Sequence, residues 1–302
     1  MPSKKKEKHT FGKRLVLLDS HAIIHRAYHA MPDFASSKGE PTGGLYGLAA
    51  MLIKIIDELK PDYIAACFDL PKPTYRHEAY KEYKAGRVKT DPDLVAQIIR
   101  SRDMFAAFSI PMYEKEGFEA DDMLGTIVEK CEADDVQVII ASGDMDTLQL
   151  VDDERVQVYT LKKGIKDTIM YDEKAVVERF GFVPKFLPDY KGLRGDPSDN
   201  IIGIKGIGDK TASILIQNFD TIEKMYVTPK KRPAAFSKIK ITPRVIELLK
   251  NGEEEALFSK MLATIRRDAP IEFHIPEKTW RDTVDFKDIE TLFRELEFRT
   301  LG

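Results

Sequence analysis

The fold class this sequence predicts is α/β: a mostly parallel central sheet flanked by helices, followed by a smaller helical C-terminal domain. Two observations predict it. An apolar run rich in β-branched residues recurs three times, each time ending in a carboxylate and joined to the next by segments of helical period, the pattern of parallel strands with crossover helices. After about Phe180 such runs stop, and Gly/Pro punctuation alternates with helical segments. A chain of 302 residues corresponds to roughly two domains of about 150 residues each. With 43% hydrophobic residues it can build real cores, which excludes disorder as the main state.

Taken in order, residues 1–12 read as a flexible basic leader, since MPSKKKEKHT is followed by no apolar signal-peptide core. The α/β domain is expected over 13–182. Its strands are Leu15 to Leu18 ending in Asp19, Tyr63 to Phe68 ending in Asp69, and Val136 to Gly143 ending in Asp144. Between them, 46–59, 92–108 and 120–131 have amphipathic helical spacing. The second domain, 183–302, contains helical segments at 210–219, 244–250 and 253–267. Ligands of open α/β sheets bind beyond the carboxyl ends of the strands, so the three aspartates should converge on one crevice.

Composition narrows the partners. The net charge of −3 gives no global attraction to nucleic acid, so any such partner must be met by local patches. No apolar run approaches the roughly 18 residues of a membrane span. Cys67 and Cys131, the only two cysteines, lie in apolar stretches and read as core residues of a reducing cytoplasm rather than as a disulfide or a zinc site.

Acids accumulate around the three strand ends. Glu119, Asp121 and Asp122 open a helical segment, Asp146 follows Asp144, and Asp196 and Asp199 flank a Pro-Ser turn. Alone, an acid at a helix start is a cap or dipole device. Nine acids sharing a crevice, Asp19 and Asp69 included, would raise each other's pKa and demand a counter-charge. Oxygen-only ligation favours Mg²⁺ or Mn²⁺, and the surplus of acids suggests a pair of ions, as used in phosphodiester displacement. His21, His25 and His29 form an i, i+4, i+8 stripe after Asp19. Without an HExxH glutamate they read as packing or substrate-contact residues rather than as zinc ligands.

Two basic segments are candidates for nucleic acid. Residues 72–89 carry Lys72, Arg76, Lys81, Lys84, Arg87 and Lys89 against Glu78 and Glu82, with Tyr75, Tyr80 and Tyr83 interleaved. A solvated helix face is the plain alternative, but the segment follows Asp69 directly, and cations with aromatic faces suit a single strand. Residues 230–244, with Lys230, Lys231 and Lys238, carry no acid and would track phosphates. The loop 203–212, GIKGIGDKTA, fails both the P-loop and the dinucleotide spacing. It instead offers backbone amides at a helix start, a phosphate site without base specificity. Gly206 and Gly208 are expected there at positive φ or at close DNA approach.

Asp19 together with FDLPKPTYRHEAYKEYKAGR (68–87), EGFEADDMLGT (116–126), SGDMDTLQLV (142–151) and GLRGDPSDNIIGIKGIGDKTA (192–212) resembles the 5′→3′ exonuclease domain of bacterial DNA polymerase I, a domain of the flap endonuclease superfamily. The resemblance runs from about Lys13 through nearly the whole chain. It implies a structure-specific 5′→3′ exonuclease or 5′-flap endonuclease of replication and repair at the nucleoid, acting on DNA flaps, 5′ ends at duplex junctions and RNA primers hybridised to DNA. Asp19, Asp69, Glu119 and Asp121 would serve one divalent cation, and Asp122, Asp144, Asp146, Asp196 and Asp199 the other, directly or through water. A helical arch around 72–90 would bring Arg76, Tyr83, Lys84 and Arg87 to the 5′ strand, with Lys72, Lys81 and Lys89 binding DNA nearby. The glycine loop would be a helix-hairpin-helix element gripping duplex backbone through Gly203, Lys205, Gly206, Gly208, Lys210 and Thr211, with K⁺ at its carbonyls. A polymerase would follow in cis or act as a separate partner. Ser20 and His21 depart from the family's usual Gly and small polar residue. Two other readings remain at this stage: a branched-DNA-binding module without chemistry, and an RNA-directed nuclease with the same crevice. Intact acids argue against the first, and the helical second domain is not needed by the second.

Overall fold

The computed structural model describes residues 11–163, 167–231, 236, 239 and 241–301, with the side chains of 161–163 and 228–231 left out. The expected leader up to residue 10, Lys238 and the side chains of Lys230 and Lys231 therefore lie outside the described residues.

Six strands form one sheet in the order β3-β2-β1-β4-β5-β6: β1 (Lys13–Asp19), β2 (Tyr63–Cys67), β3 (Met112–Tyr113), β4 (Val136–Ala141), β5 (Val156–Lys163) and β6 (Asp167–Tyr171). Neighbours are parallel except β5 and β6, which are antiparallel. The strand period of two sorts β1 between the faces. Leu15 and Leu17 join Cys67, Val138 and Ile140 in one core, whereas Val16 and Leu18 join Ala66 and Ile139 in the other. Burial on both faces is why these strands read as unbroken apolar runs. The register Asp19↔Cys67 and Leu18↔Ala141 brings the ends of β1, β2 and β4 level, so the acid after each strand opens on the same edge.

Helices α1 (Ser20–Ala30), α2 (Gly43–Leu59) and α4 (Pro92–Ala107) cover one face, and α5 (Ala120–Lys130) covers the other. Between them α3 (Tyr75–Ala79) is a short helix. The chain continues through α6 (Glu173–Phe180), α7 (Leu187–Arg194), α8 (Asp209–Phe219), α9 (Ile222–Lys231), α10 (Pro243–Asn251) and α11 (Glu253–Ala263). Their apolar side chains extend the α5 core through Leu187, Leu193, Leu215 and Ala256.

The end of the chain returns to the opposite face. Helices α12 (Trp280–Thr283) and α13 (Phe286–Glu295) pack Trp280, Ile289, Leu292 and Phe293 into the α2/α4 core. The Trp280 indole donates to the Phe108 carbonyl at 2.7 Å, giving a buried aromatic its polar partner. Residues 280–298, expected with the helical domain, thus complete the sheet's other layer. The helix expected over 253–267 stops at Ala263, because the following strand-like turn docks on α5: a Cβ on Gly125 would lie 2.6 Å from the Arg266 carbonyl.

Candidate functional site

The crevice is built at the strand ends. Asp19 caps α1, accepting from the Ala22 amide at 3.1 Å, and its other oxygen accepts from the Ser142 hydroxyl at 2.6 Å. That hydroxyl accepts in turn from the Asp144 amide at 2.9 Å, so Ser142 ties the ends of β1 and β4 together. Asp144 caps the 3₁₀ turn Met145–Leu150 by accepting from the Asp146 amide at 2.9 Å. Asp69 accepts from the Ala120 amide at 2.7 Å, which sets the start of α5 and hence Asp121 beside it.

The electrostatics show that these five acids share one space. Burial, reinforced by Asp69 and Asp144, pushes Asp19 up to about 7. Burial also raises Asp121 well above the usual carboxylate range, with Asp144, Asp19, Asp146 and Asp69 adding to it. Asp146 is pushed up to about 6, by burial first and then by Asp144 and Asp196 against the opposing pull of Lys191. Like charges held this way are short of positive charge, and an oxygen-only donor set suits a hard divalent cation. Among the described residues no three His, Cys, Asp or Glu side chains already stand as one coordination shell. The fit is one of donor chemistry and charge. His21 does not compete: its Nδ1 accepts from the Asp69 amide at 3.2 Å and burial pushes its pKa down. The His25 and His29 rings lie 6.5 Å apart. Ser20 is buried at the start of α1, its hydroxyl without a partner among the described residues.

These raised acids predict a pH-dependent response to cations. A carboxyl whose folded pKa exceeds its unfolded value contributes stability at low pH and loses it as pH rises through the folded pKa. The metal-free protein should therefore lose stability between about pH 4 and the values near 6 and 7 of Asp146 and Asp19. Mn²⁺ at a hundred times its Kd should add about 2.7 kcal/mol at pH 8, roughly 5–10 °C in Tm, and far less at pH 5. An equal gain at both pH values in a thermal melt would reject this.

Two expected site residues belong elsewhere. Arg76 is 2% exposed, and its guanidinium holds both Asp122 oxygens at 2.8 and 2.9 Å and Glu119 Oε2 at 3.4 Å while donating to the Leu262 and Thr264 carbonyls. Asp122, fully buried, also accepts from the Glu119 and Arg266 amides. Correcting the expectation, Arg76 has no donor left for a strand, and Asp122 is committed to this pair rather than to the crevice. The segment expected as a helical arch is helical only over Tyr75–Ala79. Turns follow, with Lys84 in the left-handed region at φ 58°, and they lie on the 196–201 loop. There the Lys84 amide donates to the Asp199 carbonyl at 2.9 Å.

The side chains of that segment cap the remaining acids. Lys84 Nζ sits 2.8 Å from Glu119, Arg87 donates to Asp199 at 2.6 Å, and the Tyr83 hydroxyl reaches Glu119 at 3.2 Å and Asp199 at 3.0 Å. Burial works to lower the Lys84 pKa, but Glu119 and Asp199 outweigh it and hold it above the usual lysine value. Lys72 is exposed and paired with Glu116, while Lys81 and Lys89 are exposed.

On the helical side, Gly195 (φ 80°) and Gly203 (φ 62°) cross so closely that a Cβ on Gly203 would fall 2.1 Å from the Gly195 amide nitrogen. This crossing presents Asp196 and Asp199. It also buries Gly203, correcting its assignment as a DNA contact. Lys205, Gly206, Gly208 and Lys210 are exposed and Thr211 half-buried around the start of α8. Positive φ holds at Gly206 (99°) but not at Gly208, the α8 cap at φ −100°, where a Cβ would meet nothing within 4 Å. Sequence reasoning missed Ser142 and Lys191. Ser142 opens the run SGDMDTLQLV next to the acids, whereas nothing local marks the lysine that pairs with Asp146 and Asp196.

Comparison with known proteins matches residues 14–181 to the 5′-3′ exonuclease N-terminal resolvase-like domain and 182–285 to the 5′-3′ exonuclease C-terminal SAM fold. DNA polymerase I of Bacillus caldotenax is 41% identical over 288 residues, covering 95% of this chain and 32% of that protein. DNA polymerase I of Bacillus subtilis is 38% identical over 292 residues, covering 97% and 32%. The chain thus spans about a third of the length of these relatives. Among solved structures, zinc-bound T5 5′-exonuclease superposes with a TM-score of 0.65 at 21% identity over 83% of this chain and 89% of that one. The catalytic core of Rad2 with DNA substrate gives 0.55 at 14% over 94% and 88%.

Proposed function

The chain belongs to the 5′-3′ exonuclease family, and from that premise we propose that it is a divalent-metal-dependent 5′ nuclease hydrolysing phosphodiester bonds at 5′ flaps and at 5′ ends of duplex junctions. One observation carries the reading: Asp19, Asp69, Asp121, Asp144 and Asp146 are brought together at the level ends of three parallel strands, where burial and then the neighbouring acids raise the pKa of Asp19, Asp121 and Asp146, beside a basic segment bonded to Glu119 and Asp199. RNA primers hybridised to DNA, a K⁺ ion at the glycine loop, work at the nucleoid and a polymerase in cis belong to the same proposal. The last follows the DNA polymerase I relatives.

These five acids, with Glu119, Asp196 and Asp199 around them, would hold the cations. Bound there, divalent ions supply Lewis acidity and an activated water to the scissile phosphate. The protein's own residues position the substrate. Lys84 and Arg87 rest on Glu119 and Asp199, and these acids keep both charged. A DNA phosphate entering beside Glu119 and Asp199 would take over these donors. The Tyr83 hydroxyl, bonded to both acids, sets their spacing. Lys205 and Lys210, exposed at the start of α8, supply charge along the duplex without reading bases.

The test is cleavage of one labelled 5′-flap duplex with Mg²⁺ and with chelator, beside a blunt duplex and a single strand. Mg²⁺-dependent release of the flap is expected. Binding without cleavage would favour the DNA-binding module, and preferential cutting of RNA the RNA-directed enzyme. Within this reading, Lys84→Ala should lower the single-turnover rate about 10²-fold, the scale of losing one preorganised donor, with Kd changed less than about threefold. If Lys84→Ala weakened binding and left the rate alone, the lysine would be an affinity contact only.

A further inference from the structure

We propose that Lys191 is a displaceable counter-cation: its ammonium holds Asp146 and Asp196 together in the cation-free protein and competes with a divalent cation for them. The inference rests on the metal-binding reading above and adds a residue that sets how tightly one side of the crevice takes its ion.

The geometry places the ammonium where an ion would need to be. Lys191 lies in the last turn of α7 and bonds Asp146 Oδ1 as well as Asp196 Oδ2, the latter at 2.5 Å. All three side chains are largely buried, at 12%, 18% and 10% exposure. Asp196 Oδ1 is already taken by the Ser198 amide and hydroxyl at 3.0 and 2.6 Å. The oxygen Lys191 holds is therefore the one Asp196 has free for an ion. The helix itself cannot follow a displaced side chain. Gly192 packs against α11 so tightly that a Cβ there would lie 2.7 Å from the Ala256 carbonyl, so any release must come from the flexible lysine stem.

The stem has somewhere to go. The pair opens into a crevice of about 810 Å³, lined by Lys191, Asp146 and Asp196 together with Asp144, Asp209 and Tyr190. This differs in kind from the Arg76–Asp122 pair, where a planar fork fills both oxygens of a carboxylate and five protein acceptor atoms in all use its protons. A lysine ammonium is a point charge on a mobile chain. A divalent ion brings twice its charge to the same two oxygens. Its affinity must therefore be reduced by the cost of expelling the lysine.

The test uses the DNA-free protein and Mn²⁺ alone, with bound ions counted by electron paramagnetic resonance and affinities taken from calorimetry. The native protein should show a tighter and a weaker class. Lys191→Met should tighten the weaker class about tenfold or more and leave the tighter one within about threefold. Its Tm without metal should fall, because two buried acids lose their partner, and Mn²⁺ should restore more Tm than in the native protein. Lys191→Arg keeps the charge and should leave the weaker class as in the native protein or weaker. Should Lys191→Met unfold without metal, refolding on Mn²⁺ addition supports the proposal. A weaker class unchanged or lost in a folded Lys191→Met protein, or tightened equally by Lys191→Arg, overturns it and leaves the metal reading standing. Absence of any Mn²⁺ binding to the folded native protein overturns the metal reading, and this inference with it.

Discussion

Asp121→Asn should reduce Mg²⁺-dependent flap cleavage by about 10³-fold or more, while making the metal-free protein more stable. The two effects have one cause. Burial first, and then the charges of Asp144, Asp19, Asp146 and Asp69, raise the Asp121 pKa well above that of a free carboxylate. In the absence of cations it is a destabilising neighbour, and the neutral amide relieves repulsion. A gain of about 1 kcal/mol, roughly 2–4 °C in Tm, is the scale expected. With cations, the same carboxylate is part of the charge that draws them in. Losing it removes several kcal/mol of transition-state stabilisation, and about 4 kcal/mol is a thousandfold in rate. Thermal melts in chelator and single-turnover cleavage in Mg²⁺ on one preparation check both signs. A variant that is less stable in chelator but still cleaves at near the native rate would make Asp121 a structural acid, and the crevice assignment would fall with it.

Legibility in the sequence followed how local the physics was. Strands β1, β2 and β4 were readable because both faces are buried, so their apolar runs are unbroken, and the acid after each marks the same sheet edge. Asp19, Asp69 and Asp144 needed only that rule. Strands β5 and β6 were not identified: they mix polar and apolar residues at the sheet's antiparallel end. Helix α2 was placed three residues late because Gly43 and Gly44 disfavour helix locally. Tertiary packing overrides this, since Cβ atoms there would strike the Pro32 carbonyl and Gln97. The return of 280–298 to the opposite face depends on contacts with Asp62 and Phe108, far away in the chain. No periodicity encodes that.

Charge was the least legible property. Arg76, Lys84 and Arg87 look alike in a basic run, and their fates are set by partners up to 188 residues distant, as with Arg76 and the Thr264 carbonyl. One became an internal tie, and two cap the acids at the crevice. Likewise Asp121 and Asp122 are adjacent, but the helical turn sends one to the crevice and the other to Arg76. A cluster count in sequence cannot make that separation. Lys191 was invisible for the complementary reason: it is an ordinary lysine on a helix until Asp146 and Asp196 arrive from elsewhere.

The largest expected stability effect belongs to that internal tie. Arg76→Leu should destabilise the protein by about 3–5 kcal/mol, because it leaves a buried carboxylate without its counter-charge. Asp122→Leu should cost a comparable amount, since it orphans the guanidinium and also the Glu119 and Arg266 amides. The double variant restores volume and removes both charges, so it should lose about 2 kcal/mol less than the two single losses combined. It should not return to native stability, because those amides stay unpaired. Urea denaturation of the four proteins closes the cycle. The same variants decide what Arg76 does for DNA. A residue touching the strand would, when removed, reduce the salt dependence of binding by about one phosphate contact and leave folding intact. Arg76 joins α3 to α5 and to the turn after α11 through Asp122, Leu262 and Thr264, so the salt slope of Arg76→Leu should match the native one under conditions where it is folded. Its cleavage rate should drop, because Lys84 and Arg87 hang from the segment that the arginine anchors. A reduced slope with native stability would return Arg76 to the strand.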